Sequence, residues 1–159
     1  MMETLQCVLM KDQILKVKLT EHFTLEEFTF SQTAVRNGID NTPSKEIIEN
    51  LKVTANGMEQ VRSILGNPIS ISSGYRCFNL NRIVSKSSNS AHLDGYAADF
   101  ICPAFGTPEQ IVKKLKESGV KVDQCIMEGT WVHISFAPKM RNQFMRAKFI
   151  NGIPQYSTF

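Results

Sequence analysis

Two largely apolar runs in this chain each carry one ionisable group inside what reads as a strand, and that pattern restricts the fold most. Tyr96-Ala97-Ala98-Asp99-Phe100-Ile101-Cys102 contains Asp99, and Trp131-Val132-His133-Ile134-Ser135-Phe136 contains His133. An unpaired charge in a core is expensive, so a buried carboxylate is normally paired or bound to a metal. Val122 to Glu128 reads as a further strand, and Gly129-Thr130 after it as a two-residue hairpin turn with Gly first, as a II′ turn prefers. This turn sets a register of Glu128 opposite Trp131, Met127 opposite Val132 and Ile126 opposite His133. Side chains alternate faces along a strand. Glu128 and Trp131 therefore share a face with His133, and Glu128 is its diagonal neighbour, roughly 7 Å away between backbones.

The rest of the chain reads as helices and short strands around this pair. "NTPSKEIIENLKVTANGMEQVRSILG" is the clearest helix, with Thr42 as N-cap, Pro43 in the first turn and Gly66 as the stop. Gly57 inside it points to a kink or to two helices. Thr24 caps a short helix from Leu25, with Glu27 three residues on. "TPEQIVKKLKESG" is another helix, capped by Thr107 and opened by Pro108. Ile69 to Ser72 alternates as a strand, and Gly74 to Leu93 reads as irregular. Two short strands are expected at Val8-Leu9-Met10 and Ile14 to Leu19, and a strand pair around Lys148 to Gly152. No repeat or linker divides the 159 residues, and 42% hydrophobic with 21% charged is ordinary globular composition. The expectation is one α+β domain over 1–159.

Composition narrows function only by exclusion. The net charge of +3 tolerates anionic partners but requires none. The four cysteines, Cys7, Cys77, Cys102 and Cys125, form no C-x-x-C pair, which argues against a cysteine zinc knuckle and for buried thiols at Cys102 and Cys125. The N-terminus has no basic region ahead of an apolar one, and no run reaches transmembrane length, so synthesis without a signal peptide is expected.

The chain has three histidines, His22, His92 and His133. His92 lies seven residues before Asp99. Two His and one Asp are good zinc ligands, and three protein ligands leave a fourth position for water. Zinc lowers the pKa of such water to about 7. The alternative is two histidines satisfied by ordinary core hydrogen bonds. Glu128 is the candidate base, its alternative being a surface carboxylate beside a turn. Arg76, in Ser73-Gly74-Tyr75-Arg76 just after a strand, either grips a substrate carboxylate or carbonyl or braces its loop.

At these residues the sequence resembles a known family. Ser90-Ala91-His92-Leu93-Asp94-Gly95-Tyr96-Ala97-Ala98-Asp99 matches the S-x-H-x-x-G-x-A-x-D signature of the zinc D-alanyl-D-alanine carboxypeptidase family at all five fixed positions. Ser73-Gly74-Tyr75-Arg76 with Asn81 resembles its S-G-Y-R segment, and Trp131-Val132-His133 its last ligand segment. The segment from His22 to Pro43 resembles a subgroup common in bacteriophage and prophage genomes. The resemblance implies the hedgehog/DD-peptidase fold, a small antiparallel sheet carrying a zinc site with flanking helices. It implies one zinc per chain on His92, Asp99 and His133, a substrate-gripping Arg76 and a site-lining Ser90. It also implies hydrolysis in the stem peptide of bacterial peptidoglycan, by a carboxypeptidase or an endolysin-type endopeptidase, with phage lysis or a virion as settings. The expected partner is the stem peptide, with no nucleic acid, no membrane insertion and a monomeric state. Two departures stand out. Many relatives carry the catalytic carboxylate where this chain has Thr130, whereas the phage-like subgroup places a Glu shortly before Gly-x-Trp-Val-His, as Glu128 is. Where relatives often have Gly-Gly after Asn81, this chain has Ser85-Lys86. A zinc-containing module of the same fold without peptidase activity, binding the wall or sitting at a virion tail, is the competing class.

Overall fold

The computed structural model describes residues 5–10 and 16–159. Six strands form one sheet in the order β1-β2-β4-β3-β5-β6. They are β1 Ser70–Ser73, β2 Ala97–Ile101, β3 Gln124–Glu128, β4 Trp131–Ser135, β5 Gln143–Ile150 and β6 Ile153–Thr158. After a helical stretch at 5–10, the helices are α1 Leu25–Thr29, α2 Gln32–Arg36, α3 Lys45–Leu65, α4 Phe78–Val84 and α5 Pro108–Ser118, with a 3-10 helix at Ala91–Asp94. The protein is thus mixed α+β with a six-stranded sheet.

The hairpin of β3 and β4 has the register read from the sequence: Glu128 opposite Trp131, Met127 opposite Val132 and Ile126 opposite His133. Gly129 takes a φ of 73°, the positive value a II′ turn needs at its first central residue. β2 pairs antiparallel with β4 and sets Asp99 directly opposite His133. Alternation then separates two faces. Ala98 and Phe100 on β2, with Val132 and Ile134 on β4, are fully buried. They join Leu51, Met58 and Val61 of α3 and Ile111, Val112 and Leu115 of α5 in the core. Each such Leu, Ile or Phe contributes about 1.5–3 kcal/mol on burial. Asp99 and His133 point to the opposite face.

The expectation of an antiparallel sheet needs one correction, because β3 and β5 pair parallel. β4 runs antiparallel to β3, so a strand that reverses after β4 and docks on the far edge of β3 must run with β3. The reversal at 136–142 uses left-handed residues at Met140 and Asn142. It is pinned by Asp123, whose side chain is 1% exposed. The Arg141 guanidinium donates to both Asp123 oxygens at 2.8 and 2.9 Å. The Arg141 backbone N–H and the Ser135 hydroxyl donate to the same carboxylate. The hydrogen bonds from Arg141 hold Asp123 below the usual carboxylate range against the opposing effect of burial.

The helix ends follow local chemistry. α1 carries a full capping box between Thr24 and Glu27, and α5 one between Thr107 and Gln110, with Pro108 at its start. Three helical expectations are corrected. The N-cap of α3 is Ser44, because the Thr42 N–H and hydroxyl instead donate to Asp40. α3 is also continuous through Gly57, where a side chain would collide with the Phe136 ring. The glycine serves close packing and breaks nothing. The stretch expected to be irregular contains α4 and the 3-10 helix. Towards the N-terminus, residues 5–10 are helical with Val8, Leu9 and Met10 exposed, so no strand forms there. Of the second expected strand, residues 14–15 lie outside the described residues, and the remainder makes only an isolated bridge between Lys18 and Thr24. The strand pair expected near the C-terminus is β5–β6, turning at Asn151 and Gly152, both with positive φ. Among the described residues no helix is long and apolar enough to cross a membrane.

Candidate metal centre

His92, Asp99 and His133 come together on the face of the sheet opposite Ala98, Phe100, Val132 and Ile134, each offering one ligand atom within 4.8 Å of the others. β2 and β4 supply Asp99 and His133 by direct cross-strand pairing. His92 arrives from the 3-10 helix. Ser90 opens that helix by accepting from the His92 N–H, and Gly95 closes it in the left-handed region.

The His92 ring is 2% exposed, and its Nδ1 lies 2.6 Å from the Gly74 carbonyl oxygen. A carbonyl only accepts, so Nδ1 carries the hydrogen and Nε2 presents its lone pair. Burial lowers the pKa of His92, with Asp99 opposing it, which favours the neutral ring a metal requires. Nε2 lies 3.3 Å from Asp99 Oδ1 yet is buried without a hydrogen-bond partner. A buried lone pair left unmatched needs a reason. A cation between His92, Asp99 and His133 supplies one, and the N, O, N donor set suits zinc.

Asp99 Oδ1 also accepts from His133 Nδ1 at 3.0 Å, and the two imidazole rings stand edge to face with centroids 5.1 Å apart. Burial alone would raise the Asp99 pKa. The positive charge that His92 and His133 can carry and the hydrogen bond from His133 outweigh it and hold the carboxylate well below the usual range. Burial likewise works to lower His133, but the hydrogen bond and charge of Asp99 raise it on balance. The two histidines thus differ: burial favours a neutral His92, and Asp99 favours a protonated His133.

Arg76 is placed by its backbone. Its N–H donates to the His92 carbonyl at 3.0 Å, and the neighbouring Tyr75 N–H donates to the Phe28 carbonyl at 2.6 Å. Asn41, buried between them, donates to the Thr29 and Tyr75 carbonyls and accepts from the Cys77 N–H. The Arg76 guanidinium donates to Ser90 Oγ at 3.4 Å, while its Nε is buried with no partner. Burial lowers the Arg76 pKa, and the charges of Asp99 and Glu128 counter that. Glu128 is half-buried at the end of β3. Burial raises its pKa, the Asp99 charge adds to the rise, and His133 and Arg76 oppose it. All six residues singled out in the sequence, His92, Asp99, His133, Glu128, Arg76 and Ser90, thus belong to one neighbourhood.

Two contributors were not visible in the sequence, and a third was visible only as a position on the site-bearing face. The Gly74 carbonyl is a main-chain group with no residue signature, although the tight approach of Gly74 to the Phe28 backbone explains the glycine. Asn41 works through backbone partners far away in sequence. Trp131 carries a buried indole N–H without a partner beside Glu128, which only its place in the strand register suggests.

The Peptidase M15 family model matches residues 21–135, which span α1 through β4 and include every residue of the cluster. No curated protein matches the chain.

Proposed function

The chain belongs to the Peptidase M15 family, and from that premise we propose that it is a zinc-dependent peptidase acting on the stem peptide of bacterial peptidoglycan. The observation that carries the reading is the His92–Asp99–His133 cluster with its unmatched His92 Nε2. His92, Asp99 and His133 would hold one zinc per chain, which would supply a Lewis acid there and lower the pKa of a water towards neutrality. The protein's own groups do the rest. The Gly74 carbonyl fixes the tautomer and orientation of His92. Glu128 takes the proton of the attacking water and returns it to the leaving amine. Its raised pKa moves it towards the range in which a general base works best near neutral pH. Arg76 holds the substrate through a carboxylate or carbonyl oxygen, and Ser90 lines the site while accepting a hydrogen bond from the guanidinium.

The scissile bond is the terminal D-Ala-D-Ala bond in a carboxypeptidase, or an internal stem bond in an endolysin-type enzyme. A phage lysis or virion setting is supported by the resemblance of the His22 to Pro43 segment. A second reading, a zinc-containing wall-binding or tail-associated module without turnover, is favoured by Thr130 standing where many relatives carry the catalytic carboxylate. Mass spectrometry of fragments released from purified peptidoglycan, with and without a chelator, separates the two. Chelator-sensitive release of terminal alanine assigns the carboxypeptidase, and chelator-sensitive internal cuts assign the endopeptidase. No release by zinc-loaded protein assigns the binding module.

A further inference from the structure

The site-bearing face of the sheet does not stop at Glu128. β3 and β5 pair parallel with Met127 opposite Arg146, so the next position along sets Ala147 beside Glu128. Ala147 in turn pairs with Tyr156 on β6. Cross-strand partners share a face, so Trp131, Glu128, Ala147 and Tyr156 form one row. Arg146 gives an independent check on orientation. Its guanidinium reaches Glu109 of α5, the Met127 sulfur and the Phe159 ring, all on the helix side of the sheet. Its neighbours Met145 and Ala147 therefore point the other way, towards the site. The Glu128 charge also reaches Tyr156, adding to the effect of burial in raising its hydroxyl pKa.

A small residue between larger ones would make this row a shallow trough. Ala147, 6% exposed, is a small floor between Glu128 and Tyr156. Tyr156 is 52% exposed and Phe149, two residues beyond Ala147 on the same face, is 47% exposed, so neither aromatic is consumed by the core. The hairpin that carries them is well anchored, with six register pairs and the Phe159 N–H donating to the Phe144 carbonyl. It lies wholly outside residues 21–135.

We propose that the hairpin β5–β6 forms a distal substrate subsite, with Tyr156 as its wall, which takes extended stem peptide on the side of the scissile bond opposite Arg76. The proposal rests on the peptidoglycan-peptidase reading. Strands lie about 4.8 Å apart, so the Tyr156 backbone is about 10 Å from that of Glu128 and roughly 15 Å from that of His133. An extended peptide advances about 3.4 Å per residue, so Tyr156 meets a group three to four residues from the reacting bond. It does not touch the reacting atoms. It determines how much substrate length the enzyme rewards, through apolar contact with the ring face.

Calorimetric titration of Glu128→Gln, which binds with little turnover, tests this with two probes: the dipeptide D-Ala-D-Ala and a purified muropeptide bearing the complete stem. The full stem is expected to bind more tightly than the dipeptide. Adding Tyr156→Ala is expected to weaken full-stem binding about tenfold and to reduce the preference over the dipeptide by the same factor. Adding Tyr156→Phe is expected to preserve both. Circular dichroism confirms folding, which a half-exposed edge-strand residue is not expected to disturb. Unchanged full-stem affinity in Tyr156→Ala overturns the subsite and leaves the peptidase reading standing. Failure of both probes to bind Glu128→Gln overturns the peptidoglycan reading, and the subsite with it.

Discussion

His92 is held from both ends. Its Nδ1–H is committed to the Gly74 carbonyl, so the ring cannot turn without losing that bond, and its backbone carbonyl accepts from Arg76, which fixes the main chain beneath it. A Cβ at position 74 would collide with the Phe28 backbone. Gly74→Ala is therefore expected to shift that carbonyl, weaken zinc binding by about 10–100-fold and destabilise the fold by about 1–3 kcal/mol. Competition with a chromogenic chelator and thermal melting check the two effects, and an unchanged zinc affinity would remove the carbonyl from the site's design. Glu128→Gln is expected to retain zinc while kcat/KM falls about 10²–10⁴-fold. An unimpaired rate would place the base elsewhere. At this scale the sequence was informative wherever a residue broke a local pattern. Asp99 and His133 interrupt apolar strands, and Glu128 follows from a two-residue turn. The Gly74 carbonyl and Asn41 break no pattern, because backbone acceptors and long-range amide bonds leave no periodicity to detect.

Among the elements, α3 shows local propensity yielding to packing. Gly57 is unfavourable in a helix by about 1 kcal/mol relative to Ala, yet the Phe136 ring occupies the space an Ala would need. Gly57→Ala gains propensity and loses the fit of helix on sheet. Overpacking costs about 1–3 kcal/mol, so a net destabilisation of up to about 2 kcal/mol is expected. Phe136→Leu in the same background is expected to recover part of the loss. Urea denaturation of the single and double variants gives the coupling, and a stabilised single variant would contradict the packing account. Capped helices such as α1 and α5 were legible because Thr24 with Glu27, and Thr107 followed by Pro108, carry a mechanism. α4 was not. Its N-cap, Cys77, makes no side-chain hydrogen bond, and within it only Leu80 and Asn81 are buried, so neither cap nor apolar stripe announces it.

Over the whole molecule, the parallel ladder between β3 and β5 depends on Asp123. A hairpin register could be read from Gly129-Thr130, but a crossover held by one buried carboxylate on four donors could not. Its charge is matched by Arg141 only after the chain has folded. Arg141 is 43% exposed and regains water, so Asp123→Ala chiefly strands the Ser135 hydroxyl and the Arg141 backbone N–H and is expected to cost about 1–3 kcal/mol. The pH dependence has a definite sign. The folded-state pKa lies below the unfolded value of about 3.9, so the stabilisation is complete above about pH 4 and is lost as pH falls through the folded value. The stability gap between the parent and Asp123→Asn should be flat at neutral pH and close only in acid. A gap that widened in acid would contradict the assignment. The same crossover feeds the β5–β6 hairpin, so this carboxylate underpins both the sheet and the far wall of the proposed substrate trough.

The central claim is that His92, Asp99 and His133 jointly hold one zinc ion. Elemental analysis of the purified parent, Asp99→Ala, His133→Ala and Glu128→Gln, each dialysed against limiting zinc, tests it most directly. The account predicts one zinc per chain in the parent and in Glu128→Gln, and loss of zinc with lowered stability in the two ligand variants. Full zinc occupancy in His133→Ala, or none in the parent, would contradict it.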